Sequence, residues 1–171
     1  MTDFGIESLL EFNKAFNVFT GDPDKPEVPK STDSHTKADL RNYTEQAVKF
    51  GKELKQLAAN AKERGDDNGA LILIRLQLIQ EELSELAEAF CFESIVDSYD
   101  ALVDLSYVVD GTYLTLGLHK KKLAGYTEVH RSNMSKLDDN GKPIISSAGR
   151  VVKGPNYSIP RLDLVLEADY D

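Results

Sequence analysis

One stretch constrains this chain more than any other: Ile79-Gln80-Glu81-Glu82-Leu83-Ser84-Glu85-Leu86-Ala87-Glu88-Ala89-Phe90. Its spacing is helical, and four carboxylates fall within two turns among residues that favour burial. A surface helix normally keeps its acids to one side and balances them with Lys or Arg four residues on. Here no basic residue occurs between Arg75 and Lys120. Either the acids form a plain solvated face, or a cation other than lysine balances them. The pattern points to a divalent metal ion.

The rest of the chain is predicted to build helices around this one. With 171 residues, 41% of them hydrophobic and 29% charged, the chain is expected to form one domain over 1–171 with a real core. A formal net charge of −9 argues against a nucleic-acid backbone or an anionic membrane as partner. No apolar stretch reaches membrane-spanning length and no signal-peptide pattern opens the sequence. Cys91 is the single cysteine, so no intrachain disulfide can form, and a cytoplasmic setting is expected.

In order, Phe4, Ile6, Leu9, Leu10, Phe12 and Phe16 recur as one face of a helix over about 3–17. Residues 18–37 carry Pro23, Pro26 and Pro29 and read as a loop. A second helix is predicted from Lys37 to about Arg64, with Leu40, Tyr43, Ala47, Phe50, Leu54, Leu57 and Ala61 inward, before Gly65 to Gly69. Further helices are expected over about 70–90, 93–118 and 120–137. The tail 138–171 holds Gly149, Gly154, Pro155 and Pro160 and reads as extended, with a short turn near Arg161–Leu166. The fold class is all-α: a bundle of about five helices with an extended C-terminal tail.

A helical wheel sets out where the acids lie. Ile72, Leu76, Ile79, Leu83, Leu86 and Phe90 make one apolar stripe, with Glu82 on its edge and Glu85 next on that flank. Spaced i, i+3, Glu82 and Glu85 project from one face about 5–6 Å apart at Cβ, while Glu81 and Glu88 lie further towards solvent. On the following helix Asp97, Asp100 and Asp104 share a face with Tyr107 and Gly111, although Asp is a mediocre helix former. Two antiparallel helices with these faces opposed gather four or five carboxylates, and a hard-oxygen set without Cys or His suits Mg²⁺ or Mn²⁺ rather than zinc. A di-iron carboxylate bundle is excluded, because none of His35, His119 and His130 follows a Glu by three residues.

These residues resemble a known family. Arg75-x-x-Leu78-x-x-Glu81-Glu82-x-x-Glu85, then Asp100-Ala-Leu-Val-Asp104-Leu-Ser-Tyr107-Val-Val-Asp-Gly111, then Glu128-Val-His-Arg-Ser-Asn133-Met-Ser-Lys136 and Gly149-Arg-Val-Val-Lys153 together are similar to the all-α nucleoside triphosphate pyrophosphohydrolases. That MazG-like superfamily includes helical dUTPases and phosphoribosyl-ATP pyrophosphohydrolase. The resemblance implies Mg²⁺ held by Glu82, Glu85 and Asp104, with Glu81 as an extra acid beside them. The family's remaining Glu aligns with Ala101, and Asp100 or Asp97 is left to substitute. It also implies that Asn133 and Lys136 contact the nucleotide, and Arg150 and Lys153 are candidate phosphate contacts in the tail. The activity implied is Mg²⁺-dependent hydrolysis of a (deoxy)nucleoside triphosphate to monophosphate and pyrophosphate, with Glu81 or Glu82 taking the proton of the attacking water. A homodimer or dimer of dimers is expected. The alternative function is a non-catalytic helical module that binds nucleotide or a protein partner.

Overall fold

Three helices begin on side chains that satisfy their first free amides. Asp33 Oδ2 accepts from the Thr36 N–H at 2.7 Å, Asp66 Oδ1 from the Gly69 N–H at 2.8 Å, and Ser94 Oγ from the Asp97 N–H at 3.3 Å. In the computed structural model, which describes residues 4–147 and 150–168, they open α2 (Ser34–Glu63), α3 (Asp67–Cys91) and α4 (Ile95–Thr115). The other helices are α1 (Phe4–Phe16), α5 (Lys122–Met134), preceded by a 3₁₀ turn at His119–Lys121, and α6 (Leu162–Glu167). Among the described residues β pairing is confined to two isolated bridges, Leu137 with Pro143 and Ile145 with Val151, and the protein is all-α as predicted. Helix α3 starts earlier than hydrophobic spacing suggested, because Asp66 caps it. Within the tail, α6 occupies the place of the expected short turn. Gly149 and the tail's last three residues lie outside the described set.

By its contacts the chain divides into two compact units, Pro23–Leu116 and Met1–Asp22 with Gly117–Asp171. In the first, α2 and α3 pack through small residues. Ala47, Ala58 and Ala61 of α2 and Ala70, Ser84, Ala87 and Ala89 of α3 are buried, as are Ser98 and Ala101 of α4. Gln80 crosses this seam, its Nε2 donating to the Ala47 carbonyl at 3.3 Å. The predicted apolar stripe of α3 is therefore corrected: Ile72 and Leu76 are 59% and 50% exposed, and Phe90 is exposed too. Small side chains let two helix backbones approach closely, and that contact displaces the larger residues to the flanks. Tyr43, Phe50 and Leu57 of α2 are exposed for the same reason.

Helix α3 is closed just beyond its end by Glu93, whose φ of 54° is left-handed. The Ser94 N–H reaches back to the Ala89 carbonyl at 3.0 Å and the Phe92 N–H to Glu88 at 3.1 Å, a Schellman-type close. The Glu93 carboxylate pairs with Lys30 at 3.6 Å and Lys37 at 3.5 Å. Lys30 belongs to the proline-rich loop, which also buries Val28, so the loop is draped over its unit.

In the second unit α1 packs on α5, with the Tyr126 hydroxyl donating to the Gly5 carbonyl at 3.0 Å and His130 meeting Glu11 at 3.1 Å. Phe12 and Phe16 stack with centroids 4.2 Å apart, and Phe16 is buried, so its ring belongs to the core. Glu128 ties α5 to the start of α6. Its carboxylate takes two 2.7 Å bonds from the Arg131 guanidinium and one of 2.6 Å from the Arg161 N–H. The Arg131 side-chain bond, then the Arg161 backbone bond, hold this carboxyl down to about 2. A depressed carboxyl stabilises the fold above its ordinary range and loses that contribution as pH falls through its folded value. Helical NMR shifts of Leu162–Glu167 are expected to fade as pH falls from about 4.5 towards 2, and to be weakened at pH 7 in Glu128→Gln. Persistence of α6 in both would show that this knot does not hold it.

Candidate active site

Helices α3 and α4 run back from the Glu93 turn with their acids opposed. Glu82 is half-buried, and its Oε2 is fully enclosed with no hydrogen-bond partner. Its carboxyl is pushed above the ordinary range first by burial, then by the charges of Glu85, Asp104, Glu81 and Asp100. Both helices therefore act on one side chain, as opposed acid faces require. Glu81 and Glu85 are exposed beside it, and one Glu81 oxygen accepts from Gln77 Nε2 at 2.6 Å.

Asp100 and Asp104 are exposed on α4. Asp97 is not among the charges acting on Glu82; it sits in the first turn over the Ser94 cap, where an acid favours the helix dipole. A Ser followed three residues later by an acid is itself a helix-start signal. Ala101, where the resemblance places a Glu, is 2% exposed and packed in the interior. Tyr107, shared with this face, is 80% exposed and takes no part in the core.

The carboxylates are not drawn into a ready coordination shell. Among the described residues no three His, Cys, Asp or Glu side chains are placed to hold a metal ion. The donors nonetheless fit one: all are carboxylate oxygens, and the enclosed Oε2 of Glu82 lacks any partner that would satisfy it. About two turns further along the hairpin, Arg75 lies over α4 so closely that a Cβ on Gly111 would stand 2.9 Å from its Nη1. Its buried Nε likewise has no partner.

The second unit holds the remaining candidates. Asn133 and Lys136 are brought together, the Lys136 ammonium donating to Asn133 Oδ1 at 2.8 Å. The tail passes close by, since the Gly154 N–H donates to the Lys136 carbonyl at 3.1 Å and a Cβ on Gly154 would meet that oxygen at 2.6 Å. Glycine is required there. Lys153 lies over the Tyr157 ring, 4.3 Å from its centroid, so its charge already has an aromatic partner. Arg150 is exposed, its backbone N–H bonded to Ser146 Oγ at 3.2 Å. Sequence reasoning passed over two lysines, Lys52 and Lys55, which share a groove with Glu81, Glu85 and Glu88. Their i, i+3 spacing on α2 was the available signal.

Comparison with known proteins identifies the group. The family description of phosphoribosyl-ATP pyrophosphohydrolase matches residues 48–133, half of the chain, including every acid of the α3–α4 hairpin. The chain belongs to that family. It is a pyrophosphohydrolase in the general sense, a hydrolase of phosphoric anhydrides. Among solved structures it is similar to a candidate NTP pyrophosphohydrolase from Exiguobacterium sp. 255-15, at 22% identity and a TM-score of 0.53, over 98% of this chain and 95% of that one. At that identity the likeness speaks for the fold. No curated protein matches. Among the described residues of this pyrophosphohydrolase, no helix is long and apolar enough to cross a membrane.

Proposed function

We propose that the protein hydrolyses a nucleoside or deoxynucleoside triphosphate between the α- and β-phosphates in a Mg²⁺-dependent reaction, as part of cytoplasmic nucleotide-pool house-cleaning. The observation that carries this reading is the enclosed, partnerless oxygen of Glu82 among four other carboxylates from two helices. Glu82, Glu85, Asp100 and Asp104 would hold the ion, and Mn²⁺ suits the same donors. When bound, it supplies neutralisation of phosphate charge and a lower pKa for the attacking water.

The chain's own groups do the rest. A water oxygen bonds to the α-phosphorus, the bond from that phosphorus to the bridging oxygen breaks, and the electron pair leaves with pyrophosphate. Glu82, its carboxyl raised by burial and like charge, is suited to take the water's proton. Glu81, oriented by Gln77, stands at the rim to receive it onward. Asn133 and Lys136, joined by one hydrogen bond, are the phosphate contacts that the family motif suggests, with Arg150 and Lys153 as further candidates. A homodimer or dimer of dimers is part of the proposal, supported by large apolar side chains such as Ile72, Val96 and Leu114 left exposed.

The test is pyrophosphate release across a panel of NTPs and dNTPs. Release is expected from at least one of them with Mg²⁺, falling to background on chelation and returning on re-addition. Release of orthophosphate instead, or activity indifferent to chelator, would overturn the reading.

A further inference from the structure

Glu81, Glu85 and Glu88 form one wall of an open groove of about 340 Å³, and Lys52 and Lys55 of α2 form the wall facing them. Acids and lysines that line one groove can close on one another as ion pairs. Lys49 and Glu53, a turn away on α2, do so at 3.9 Å. Across the groove, among the described residues, neither lysine forms an ion pair or hydrogen bond with these acids. Both lysines are exposed and spaced i, i+3, so two ammonium groups stand side by side over the same space. Gly51 lines the same groove, and a Cβ there would stand 3.8 Å from Gln80 Cγ of α3.

A ligand that satisfies both walls must present positive charge to one and several negative charges to the other. A phosphate chain complexed with a divalent cation has that character, with the cation at Glu85, which the groove shares with the proposed ion-holding carboxylates, and the phosphate oxygens towards the lysines. We propose that Lys52 and Lys55 receive the pyrophosphate end of the substrate. The choice of end follows from charge. Two terminal phosphates carry more of it than the esterified α-phosphate, and more accumulates on the β-side oxygen as the bond to the α-phosphorus breaks. Fixed ammonium groups at that position stabilise the departing anion more than the bound substrate, which is what lowers a barrier. The cleaved product then starts from a site that already holds it. The inference rests on the triphosphate reading above, and it adds the residues that bind the leaving group.

The experiment compares the full-length protein with a Lys52→Gln/Lys55→Gln variant by calorimetric titration of inorganic pyrophosphate with Mg²⁺, alongside steady-state kinetics on the accepted nucleotide. Lys49→Gln/Lys62→Gln removes equal charge from the same helix outside the groove and serves as control. The groove variant is expected to bind pyrophosphate at least tenfold more weakly and to show a lower kcat/KM. Lys52→Arg/Lys55→Arg should recover most of the affinity, and the control should match wild type. Wild-type pyrophosphate affinity in the groove variant of a protein that hydrolyses nucleotides would overturn the lysine assignment alone. A wild-type protein that neither binds pyrophosphate nor releases it would overturn the triphosphate reading and this one with it.

Discussion

Glu82→Gln is expected to cut kcat by about a thousandfold while raising the melting temperature of the metal-free protein by roughly 2–4 °C. The two effects have one origin. The Glu82 carboxyl is raised by burial and by four neighbouring acids, so its ionised form is held in the fold at a cost. The sign follows from linkage: a carboxyl with a raised folded pKa stabilises below its unfolded value, and that stability is lost as pH rises through the folded one. Once the carboxyl is ionised the wild type has lost it, and a neutral amide removes that burden. The same amide cannot accept a proton or satisfy a cation. Thermal melts in chelator, with kinetics in Mg²⁺, read the two halves separately. A variant that is inactive and less stable would mean that the Glu82 charge is already compensated in the free protein.

Asp104→Asn should lower kcat/KM by at least about a hundredfold, and Asp100→Asn should follow it, whereas Asp97→Asn should leave kcat close to wild type. Asp104 and Asp100 act on Glu82 across the hairpin, and Asp97 does not. Removing the Asp97 charge should cost only the helix N-terminal interaction, about 0.3–1 kcal/mol. Full kinetics on the three variants, with melts to separate folding from chemistry, decide which Asp stands in for the family Glu at Ala101. Loss of activity in Asp97→Asn with retention in Asp100→Asn would reverse the assignment.

The acids were legible in the sequence because charge without counter-charge at helical spacing is a strong local signal. The α-helical class was legible for the same reason, since one period ran through nearly every segment. The buried face of α3 was not. Hydrophobic spacing selects Ile72 and Leu76, yet Ala70, Ser84 and Ala87 are the residues buried, because close helix packing rewards small volume and a hydropathy pattern records only oiliness. Asp97 carries two signals at once: its wheel position matches a ligand face, and its place in the first turn after Ser94 favours an acid with or without a ligand. The i, i+3 spacing of Lys52 and Lys55 was visible, but that they share a groove with Glu81 and Glu85 was not, because no local rule says which face of α2 meets which flank of α3.

The turn at Glu93 acts as a ruler for the chemistry. Glu82 and Asp104 stand eleven residues to either side of it, and Arg75 and Gly111 eighteen. Pairing across the hairpin is thus a mirror image about one left-handed residue. Each residue of a helix advances about 1.5 Å and rotates about 100°. One residue added at the turn would therefore swing Asp104 away from Glu82 and drive a side chain into the notch that Arg75 occupies at Gly111. Insertions outside the two helices and their turn leave that register alone. Length variation among relatives should be absent from the few residues between α3 and α4, and tolerated in the proline-rich loop and the tail.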